Sequence, residues 1–421
     1  MIKFFLNIYN DLLFKNISYL SFFQFINSLL TLILVPLLAN KINIFFFGLF
    51  FLIQNIIKYF NLLTEWGFLS GGVNEIASKK FNKVNIQKTF NQIYSSQLFI
   101  ILISFLPMVF SLNFLIKDHD LTSYEILSYS LFFFTSSITP IWFLNGLEKV
   151  IYSVIIQIYP KIILVFSLLF FLDENIEIYK LFLLLSIGYI IGFCNCSYII
   201  FYKLNFKFNF YNPLNKIKNY FFYFVSSASL TFTNLIIPII IGFKLNTEAV
   251  GIYVVISKIM SMVLIAVNPI LNSCFPRICS LYNNNIGNYK KSLFRYSSII
   301  LFLIVIIIFI VYSFINNLIS LFFDEQFLIA ADLFIFIIPA IFLNIINGII
   351  YLFILIPFQK DKEIMKASFL NFTFTIMIGY YLIMEFLLNG AIYTLIFSEL
   401  LLFSLYLYFL NKGKIIKNLI T

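Results

Sequence analysis

Three lysines lie in stretches of the sequence that are otherwise apolar: Lys58, Lys161 and Lys258. A lysine near the centre of a bilayer costs about 3 kcal/mol to insert, so such a residue usually faces water, a partner or a ligand. An ammonium group neutralises phosphate and donates hydrogen bonds to it. The three lysines therefore predict a site for an anionic ligand, unless their ammonium groups extend along the helix to the lipid headgroups.

Two carboxylates in apolar stretches could pair with a lysine or carry a proton. Glu399 lies in the middle of the last such stretch, and Glu65 follows Lys58 by seven residues. Seven residues of helix rise about 10 Å, which is too far for a direct bond between Glu65 and Lys58. We expect Glu399 either to form a structural ion pair or hydrogen bond, or to act as a coupling group that takes up and releases a proton.

Amide side chains accompany these charges within the apolar stretches: Gln24, Asn27, Gln54, Gln97, Gln157, Asn234, Asn268 and Asn344. We expect most of them to hydrogen-bond neighbouring helices and some to line a hydrated cavity. Because lysines neutralise phosphate and amides bond hydroxyl groups, a cavity with this lining suits a ligand that carries both phosphate and sugar hydroxyls. It suits a hydrophobic cation poorly.

Several chemistries are excluded by residues that the sequence lacks. His119 is the single histidine, so neither a histidine-based metal site nor a Ser-His-Asp triad can be formed. No GxxxxGKS or GxxxxGKT loop is present to hold the phosphates of ATP. The net charge of +10 is spread over scattered loops and does not form the stripe expected for nucleic-acid binding. We therefore expect a protein that is not an enzyme and that uses no cofactor, metal or nucleic acid.

The composition places these side chains in a membrane. Of the 421 residues, 62% are hydrophobic and 11% are charged, whereas soluble domains are about 25% charged. A bilayer core about 30 Å thick takes roughly 20 apolar residues per helix. The sequence predicts an all-α polytopic membrane protein of about twelve spans, near residues 17–39, 43–66, 92–115, 124–145, 150–172, 178–202, 219–243, 249–273, 296–321, 327–357, 366–388 and 390–411.

The distribution of lysine and arginine predicts the orientation, because positively charged loops stay in the cytoplasm. Most of these residues fall in one set of loops, while the opposite loops carry the acidic residues Asp118, Asp120, Asp173, Glu174, Glu177, Asp324 and Glu325. Both termini are therefore expected in the cytoplasm. Met1–Lys15 lacks the pattern of a cleaved signal peptide. We expect a multi-pass protein of a bacterial inner membrane.

A basic, asparagine-rich stretch divides the predicted spans into two equal groups. The predicted organisation is an N-terminal lobe at 1–205, a cytoplasmic linker at 206–218 and a C-terminal lobe at 219–421. The lobes share a weak similarity between VPLLANKINIFFFGLF and IPIIIGFKLNTEAVGIYVV, which aligns Gly48 with Gly251. Two lobes of like orientation are typical of secondary transporters that work by alternating access.

One stretch resembles a family signature: TPIWFLNGLEKVIYSVIIQIYPKIILV, which begins at Thr139. It is similar to the tryptophan-aromatic-x-x-Gly-x-Glu-Lys signature of the Wzx-type flippases of O-antigen and other polysaccharides, which precedes an intramembrane lysine. The matching residues are Trp142, Phe143, Gly146, Glu148, Lys149 and Lys161. Asn145 departs from the pattern, because a glutamine often stands there. Two further stretches are similar to the family: FGLFFLIQNIIKYFNLLTEWGFLSGGVNEIA and VGIYVVISKIMSMVLIAVNPILNSCFPRI.

The resemblance implies a V-shaped, MATE-like bundle of two six-helix lobes, because the family belongs to the exporter superfamily that includes the multidrug MATE proteins and the lipid II flippases. It implies alternating-access transport of undecaprenyl-diphosphate-linked oligosaccharide, the O-antigen or capsule repeat unit, from the cytoplasmic to the periplasmic leaflet. Lys58, Lys161 and Lys258 would attract the diphosphate and anionic sugars. Membrane lipids, a polysaccharide polymerase and a chain-length regulator would be partners.

Three alternative functions can be distinguished from that of a polysaccharide flippase by features that a sequence shows. A MATE-like, cation-coupled exporter of drugs or small molecules should present intramembrane acids in place of lysines. A membrane polymerase or ligase of glycans should have a long external loop and a catalytic set, and neither is visible. A lipid II flippase should have additional spans for which this length leaves no room.

Overall fold

The computed structural model describes residues 12–79, 83–116, 119–171, 176–284, 286–323 and 325–413. In these ranges the chain forms helices joined by short connections, without a β-strand. The α-helices are α1 Leu12–Ala39, α2 Ile44–Glu65, α3 Val73–Ser78, α4 Lys83–Leu115, α5 Ser123–Ser137, α6 Ile141–Gly146, α7 Val150–Phe170, α8 Ile178–Ser197, α9 Leu214–Lys244, α10 Thr247–Asn284, α11 Ile286–Phe322, α12 Ile329–Ile349 and α13 Asp361–Lys412. Shorter helical turns cover Phe68–Gly72, Tyr198–Lys203, Glu325–Phe327 and Ile350–Leu355.

Nine helices within the described ranges are long and apolar enough to cross a bilayer, and shorter apolar stretches occur at Ile26–Ala39 and Thr231–Lys244. α13 is 52 residues long and is interrupted at Leu387, where φ is 54° and ψ is −130°, so it contains both of the last two predicted spans. The prediction of an all-α, multi-pass membrane protein is confirmed. The number of twelve spans and the cytoplasmic termini stay predictions. Both ends of the chain, Asp118, Asp173, Glu174 and Asp324 lie outside the described residues. The backbone of Gln24 is described, but its side chain is not.

α4 is longer than the apolar stretch that predicted it. The sequence placed this span near 92–115, whereas α4 begins at Lys83. Its last 18 residues, Leu98–Leu115, are nearly all apolar. They rise about 27 Å, which is close to the thickness of a bilayer core. The preceding turns carry lysines and amides, so they continue the helix beyond the hydrocarbon core to the level of the headgroups.

The described residues pack into two compact units. The first contains the described parts of Met1–Asn43 and Ile56–Ala228. The second contains Ile44–Asn55 and the described part of Ser229–Thr421. α2 and α9 therefore each contribute residues to both units. The predicted lobe limits, based on composition alone, stay predictions.

The first unit contains a cap built from short elements. We define the cap as the turn Phe68–Gly72, α3, α6 and a strap, which comprises residues 204–213 and includes most of the predicted linker. Aromatic rings fill its interior: the ring centroids of Phe90 and Phe143 are 4.5 Å apart, and those of Phe143 and Phe206 are 5.2 Å apart. All three rings are buried, and Phe90 belongs to α4, so the cap and α4 share one hydrophobic core.

The connection from α2 to the cap requires glycine. Gly67 has a φ of +70°, and a β-carbon at this position would lie 2.6 Å from the backbone nitrogen of Phe224. Trp66 stacks on Phe224 with ring centroids 4.3 Å apart, and its Nε1 donates a hydrogen bond to the backbone oxygen of Ile217 at 2.8 Å. These contacts hold the first turns of α9 against the end of α2.

In the second unit, α2 and α10 approach each other through two glycines. A β-carbon on Gly48 would lie 1.7 Å from the backbone oxygen of Thr247, and one on Gly251 would lie 3.1 Å from the backbone oxygen of Ile44. Small residues allow helix backbones to approach this closely inside a membrane. Gly48 and Gly251 are the positions that the internal similarity aligned, so the two aligned segments contact each other.

We predict that Gly48→Ala destabilises the protein, because the new methyl group would meet backbone atoms of Thr247, which cannot rotate away as a side chain can. Overpacking of this kind costs about 1–3 kcal/mol. The apparent melting temperature of the detergent-purified protein should therefore fall. Gly348→Ala is the control, because the nearest atom to its new methyl group is Leu271 Cδ1 at 3.5 Å. Equal melting temperatures for the two variants would show that the α2–α10 contact tolerates a methyl group.

Candidate functional site

Lys161 lies within α7, and its half-buried side chain contacts α1. Its Nζ donates hydrogen bonds to the backbone oxygen of Asn27 at 3.1 Å and to Thr31 Oγ1 at 2.6 Å. Thr31 in turn donates to the same Asn27 oxygen at 3.0 Å. Both oxygen atoms belong to uncharged groups, so these bonds orient the ammonium group without themselves neutralising its charge.

Lys58 and Lys258 belong to different units. The side chain of Lys58, on α2, is exposed. Lys258, on α10, is half-buried, and its Nζ lies 5.9 Å from the centre of the Phe51 ring. An ammonium group at this distance is attracted to the face of an aromatic ring. Because Lys161 shares a unit with Lys58 and not with Lys258, a single cationic lumen lined by all three lysines stays a prediction.

A chain of hydrogen bonds begins one turn from Lys58. Asn61 lies three residues later, on the same face of α2. Its Nδ2 donates to Ser136 Oγ at 2.9 Å, and its Oδ1 accepts from Ser137 Oγ at 2.7 Å. The two serines end α5. These bonds fix the rotation of α2 about its own axis, and therefore the face on which Lys58 lies.

The same chain continues to the signature tryptophan. Gln97, on α4, donates from Nε2 to the backbone oxygen of Ser137 at 2.7 Å and accepts at Oε1 from Trp142 Nε1 at 2.8 Å. Gln97 and Trp142 are both buried. A carbonyl in the last turn of a helix lacks a partner within that helix, and the Gln97 amide satisfies the one at Ser137. The buried Gln97 amide thus connects Trp142 to the end of α5, which Asn61 bonds to the helix that carries Lys58.

The other signature residues shape the turn between α6 and α7. Gly146 ends α6, and a β-carbon there would lie 2.7 Å from Ile76 Cβ of α3. Glu148 follows with a φ of 60°. Lys149 donates from its backbone nitrogen to the backbone oxygen of Leu144 at 2.8 Å and directly precedes α7. These residues therefore form a tight turn packed on α3, which positions the start of the helix that carries the intramembrane lysine.

A charged cluster in the cap was missed by the sequence analysis. The Glu75 carboxylate on α3 accepts hydrogen bonds from Lys79 Nζ and Lys216 Nζ, each at 2.6 Å. The Tyr220 hydroxyl is a third donor. Glu75 and Lys79 have the i, i+4 spacing of a helical ion pair, which is visible in the sequence. Lys216 and Tyr220 lie 141 and 145 residues further along, a separation that no local pattern reveals.

Glu399 lies in α13 and is bound by two amides of α12. Asn344 Nδ2 donates to its Oε1 and Asn347 Nδ2 donates to its Oε2, each at 2.8 Å. The carboxylate borders a cavity of about 220 Å³ within the second unit, whose lining also includes Thr233, Asn234, Tyr351, Asn371, Ser398 and Tyr406. Within the described part of the chain, the side-chain oxygens of Asn347 and Asn371 are buried without a hydrogen-bond partner. The Glu399 carboxylate therefore lies beside a cavity with a largely polar set of lining residues.

Glu65 is the last residue of α2 and is half-buried. Trp66, with a φ of 37°, and Gly67, with a φ of 70°, end the helix directly after it. Lys58 lies seven residues earlier on the same helix. The role of Glu65 as a coupling group or ion-pair partner stays a prediction.

Comparison with known proteins gives matches in sequence and in fold. A family model described as "Polysaccharide biosynthesis protein" matches residues 13–282, which is more than half of the chain. A protein of Escherichia coli (strain K12), described as a candidate O-antigen transporter, is 23% identical over 269 residues. That alignment covers 63% of this chain and 65% of the relative, so the chain spans just under two thirds of the length of the relative.

Solved transporter structures share the fold at low sequence identity. The lipid II flippase MurJ, in an inward closed conformation, superposes with a TM-score of 0.73 at 14% identity, over 93% of this chain and 87% of the other. A multidrug resistance MATE family transporter of the MOP superfamily, in an inward-facing conformation, gives a TM-score of 0.70 at 9% identity, over 92% of this chain and 95% of the other. The expectation of a MATE-like fold is confirmed.

We predict that Glu75→Gln destabilises the cap and removes the pH dependence of stability that the Glu75 carboxylate causes. Burial would raise the pKa of this carboxyl, but hydrogen bonds from the two lysines and the tyrosine outweigh burial and lower the pKa from 4.5 to about 2. The charged carboxylate therefore stabilises the fold fully above about pH 4.5, and progressively less as the pH falls to about 2. The variant should melt at a lower temperature than the wild type at pH 7, and the difference should shrink in that acidic window.

The control for this prediction is Glu363→Gln. Glu363 pairs with Lys360 at 3.5 Å, and both side chains are about one third exposed, so losing the pair should change the melting temperature little. Melting curves of the wild type and Glu75→Gln that stay parallel from pH 7 to pH 3 would contradict a stabilising role for the cluster.

Proposed function

Because the chain belongs to the polysaccharide biosynthesis protein family, we propose that it is a flippase for lipid-linked oligosaccharide. The proposed cargo is the undecaprenyl-diphosphate-linked repeat unit of an O-antigen or capsule. The proposed direction is from the cytoplasmic to the periplasmic leaflet of a bacterial inner membrane, by alternating access. Two similar proteins support this class of cargo: the candidate O-antigen transporter and the lipid II flippase. Such a protein is a transporter and not an enzyme.

The observation that carries this proposal is the position of the Lys161 ammonium group within a membrane-spanning helix, oriented by two oxygen atoms of α1. A diphosphate leaves water only at a large desolvation cost. A positive charge in a medium of low dielectric constant offsets that cost more effectively than it would in water. We propose that Lys161, and likewise Lys58 and Lys258, each within its own unit, contact the diphosphate or anionic sugars while the undecaprenyl tail stays in the bilayer.

We further propose that Glu399 couples transport to a proton or another cation. Its carboxylate lies on a helix that is long and apolar enough to cross a membrane, and it borders a cavity with polar lining residues. Protonating or neutralising a carboxylate in such surroundings removes an expensive charge, so the two states of Glu399 differ strongly in their electrostatic free energy. A change of that size can bias a conformational equilibrium.

The same cavity favours the alternative function, a cation-coupled exporter of drugs or other small molecules. Such an exporter should present an intramembrane acid, and Glu399 is one. The two functions differ in their cargo. The lysines favour an anionic cargo, whereas a cationic drug would be repelled by them.

The first test is deletion of the gene, followed by analysis of surface polysaccharide and of undecaprenyl-linked oligosaccharide in isolated membranes. A flippase predicts that surface glycan disappears while single lipid-linked repeat units accumulate in the cytoplasmic leaflet. Persistent surface glycan together with changed drug sensitivity would replace the flippase by the exporter. Loss of surface glycan with unpolymerised units in the periplasmic leaflet would instead indicate a polymerase or ligase.

We predict that alanine at Lys58, Lys161 or Lys258 reduces surface glycan in a strain that depends on this gene, and that arginine restores part of it, because the charge attracts the diphosphate. Lys161→Ala should have the largest effect, because the structure orients that ammonium group inside the span. Lys291→Ala, on the exposed start of α11, is the control and should leave display unchanged. Normal display by all three alanine variants, at normal protein levels, would refute the cationic site.

We predict that Glu399→Gln abolishes the dependence of transport on an imposed pH gradient in proteoliposomes and lowers the transport rate at least about tenfold, as expected when an essential protonatable group is lost. Glutamine keeps an oxygen acceptor for the α12 amides, so the protein should still fold. Glu385→Gln, at an exposed position of the same helix, is the control. Gradient-dependent transport by Glu399→Gln would assign Glu399 a structural role only.

A further inference from the structure

A segment around the strap carries lysines and aromatic residues but no acid. We call residues 198–223 the basic-aromatic segment. From Ile178 through Thr247 the sequence contains neither aspartate nor glutamate. Lys203, Lys207 and Lys218 are exposed, whereas Lys216 is buried against Glu75. The segment therefore presents three positive charges to its surroundings, without local acids to neutralise them.

Large aromatic side chains of the same segment are also exposed. Tyr202 is 73% exposed, Phe210 64% and Phe222 70%. Tyr198 and Tyr202 stack on each other with ring centroids 5.2 Å apart. Surface rings of this size are unfavourable in water, whereas tyrosine is enriched at the boundary between headgroups and hydrocarbon and phenylalanine inserts on its apolar side. Their exposure indicates an environment that is neither fully aqueous nor purely hydrocarbon.

The position of the strap along α4 gives its depth. Gln87 Nε2 donates to the backbone oxygen of Lys207 at 3.4 Å. The backbone nitrogen of Tyr211 donates to Ser95 Oγ at 3.0 Å, and Ser96 Oγ donates to the backbone oxygen of Pro213 at 2.8 Å. The strap thus follows the polar turns of α4, which precede the apolar stretch that begins at Leu98. It lies at the level of the lipid headgroups.

Packing fixes which strap residues point outward. Phe206 is only 6% exposed, because its ring packs in the core of the cap. Lys207, the next residue, is exposed, and so is Phe210. The hydrogen bonds that Lys207, Tyr211 and Pro213 form with α4, together with the buried ring of Phe206, hold the strap against the first unit. The segment is therefore held in place before any ligand binds.

We propose that the basic-aromatic segment binds the phosphate headgroups of anionic phospholipids in the adjoining leaflet, which the sequence places on the cytoplasmic side. The lysines attract the phosphates, and the rings insert beside the upper acyl chains. A soluble or cargo diphosphate would satisfy the lysines but would leave the aromatic side chains in water. These lipids are not cargo, so the proposal is independent of the flippase function.

Native mass spectrometry of the full-length protein tests this proposal, with phosphatidylglycerol or phosphatidylcholine of identical acyl chains added at equal concentration. The wild type should retain phosphatidylglycerol with at least about tenfold preference, because each lysine near an anionic surface contributes roughly fivefold. The triple variant Lys203→Gln/Lys207→Gln/Lys218→Gln should retain the two lipids about equally. Phe210→Ser should weaken retention of both lipids.

The matched control is Lys291→Gln/Arg295→Gln/Lys362→Gln, which removes three charges at exposed positions outside the segment and should keep the preference. Unchanged preference in the first triple variant, or equal loss in the control, would overturn the proposal. Displacement of phosphatidylglycerol from the wild type by an equal concentration of inorganic diphosphate would also overturn it, because the lysines would then serve a soluble phosphate.

Discussion

The hydrocarbon core offers no water to polar groups, so a donor, acceptor or charge buried within it is costly unless the protein supplies a partner. This constraint explains the most specific contacts of the structure. The carbonyl freed where α5 ends is satisfied by the Gln97 amide. The Glu399 carboxylate is satisfied by two asparagines of α12, and the Lys161 ammonium group is bound by oxygen atoms of α1. Each such pairing fixes one helix against another, so the polar groups determine the packing register that apolar side chains alone would leave loose.

The spans could be predicted because hydropathy and length are local properties of the sequence. Hydropathy locates the apolar span but not the ends of the helix that contains it: α4 begins at Lys83, nine residues before the predicted span near 92–115, because its first turns are polar. The short helices α3 and α6 have no hydropathy signature of their own. They exist because the aromatic core of the cap stabilises them, and that core combines residues as distant as Phe68 and Tyr220. Only the tertiary structure brings such residues together.

The candidate site was predicted in part. The resemblance to the Wzx-type flippases, confirmed by the family match, located the tryptophan signature and the intramembrane lysine. It could not reveal that Trp142 reaches α2 through Gln97 and two serines, because hydrogen bonds between distant residues leave no spacing in the sequence. For Glu399, lysines and amides were both available as partners in other spans. The choice between them depends on which helix packs beside α13, and this is a property of the fold.

The glycine contact between α2 and α10 is reciprocal. Gly48 faces the carbonyl of Thr247, four residues before Gly251, and Gly251 faces the carbonyl of Ile44, four residues before Gly48. In a dimer with a twofold axis, if residue i of one subunit contacts residue j of the other, then residue j of the first contacts residue i of the second. This exchange of contacts is characteristic of an isologous interface. Here the exchange relates two similar segments of one polypeptide. A single polypeptide thus contains, within its second unit, the reciprocal contact that is otherwise characteristic of two identical subunits.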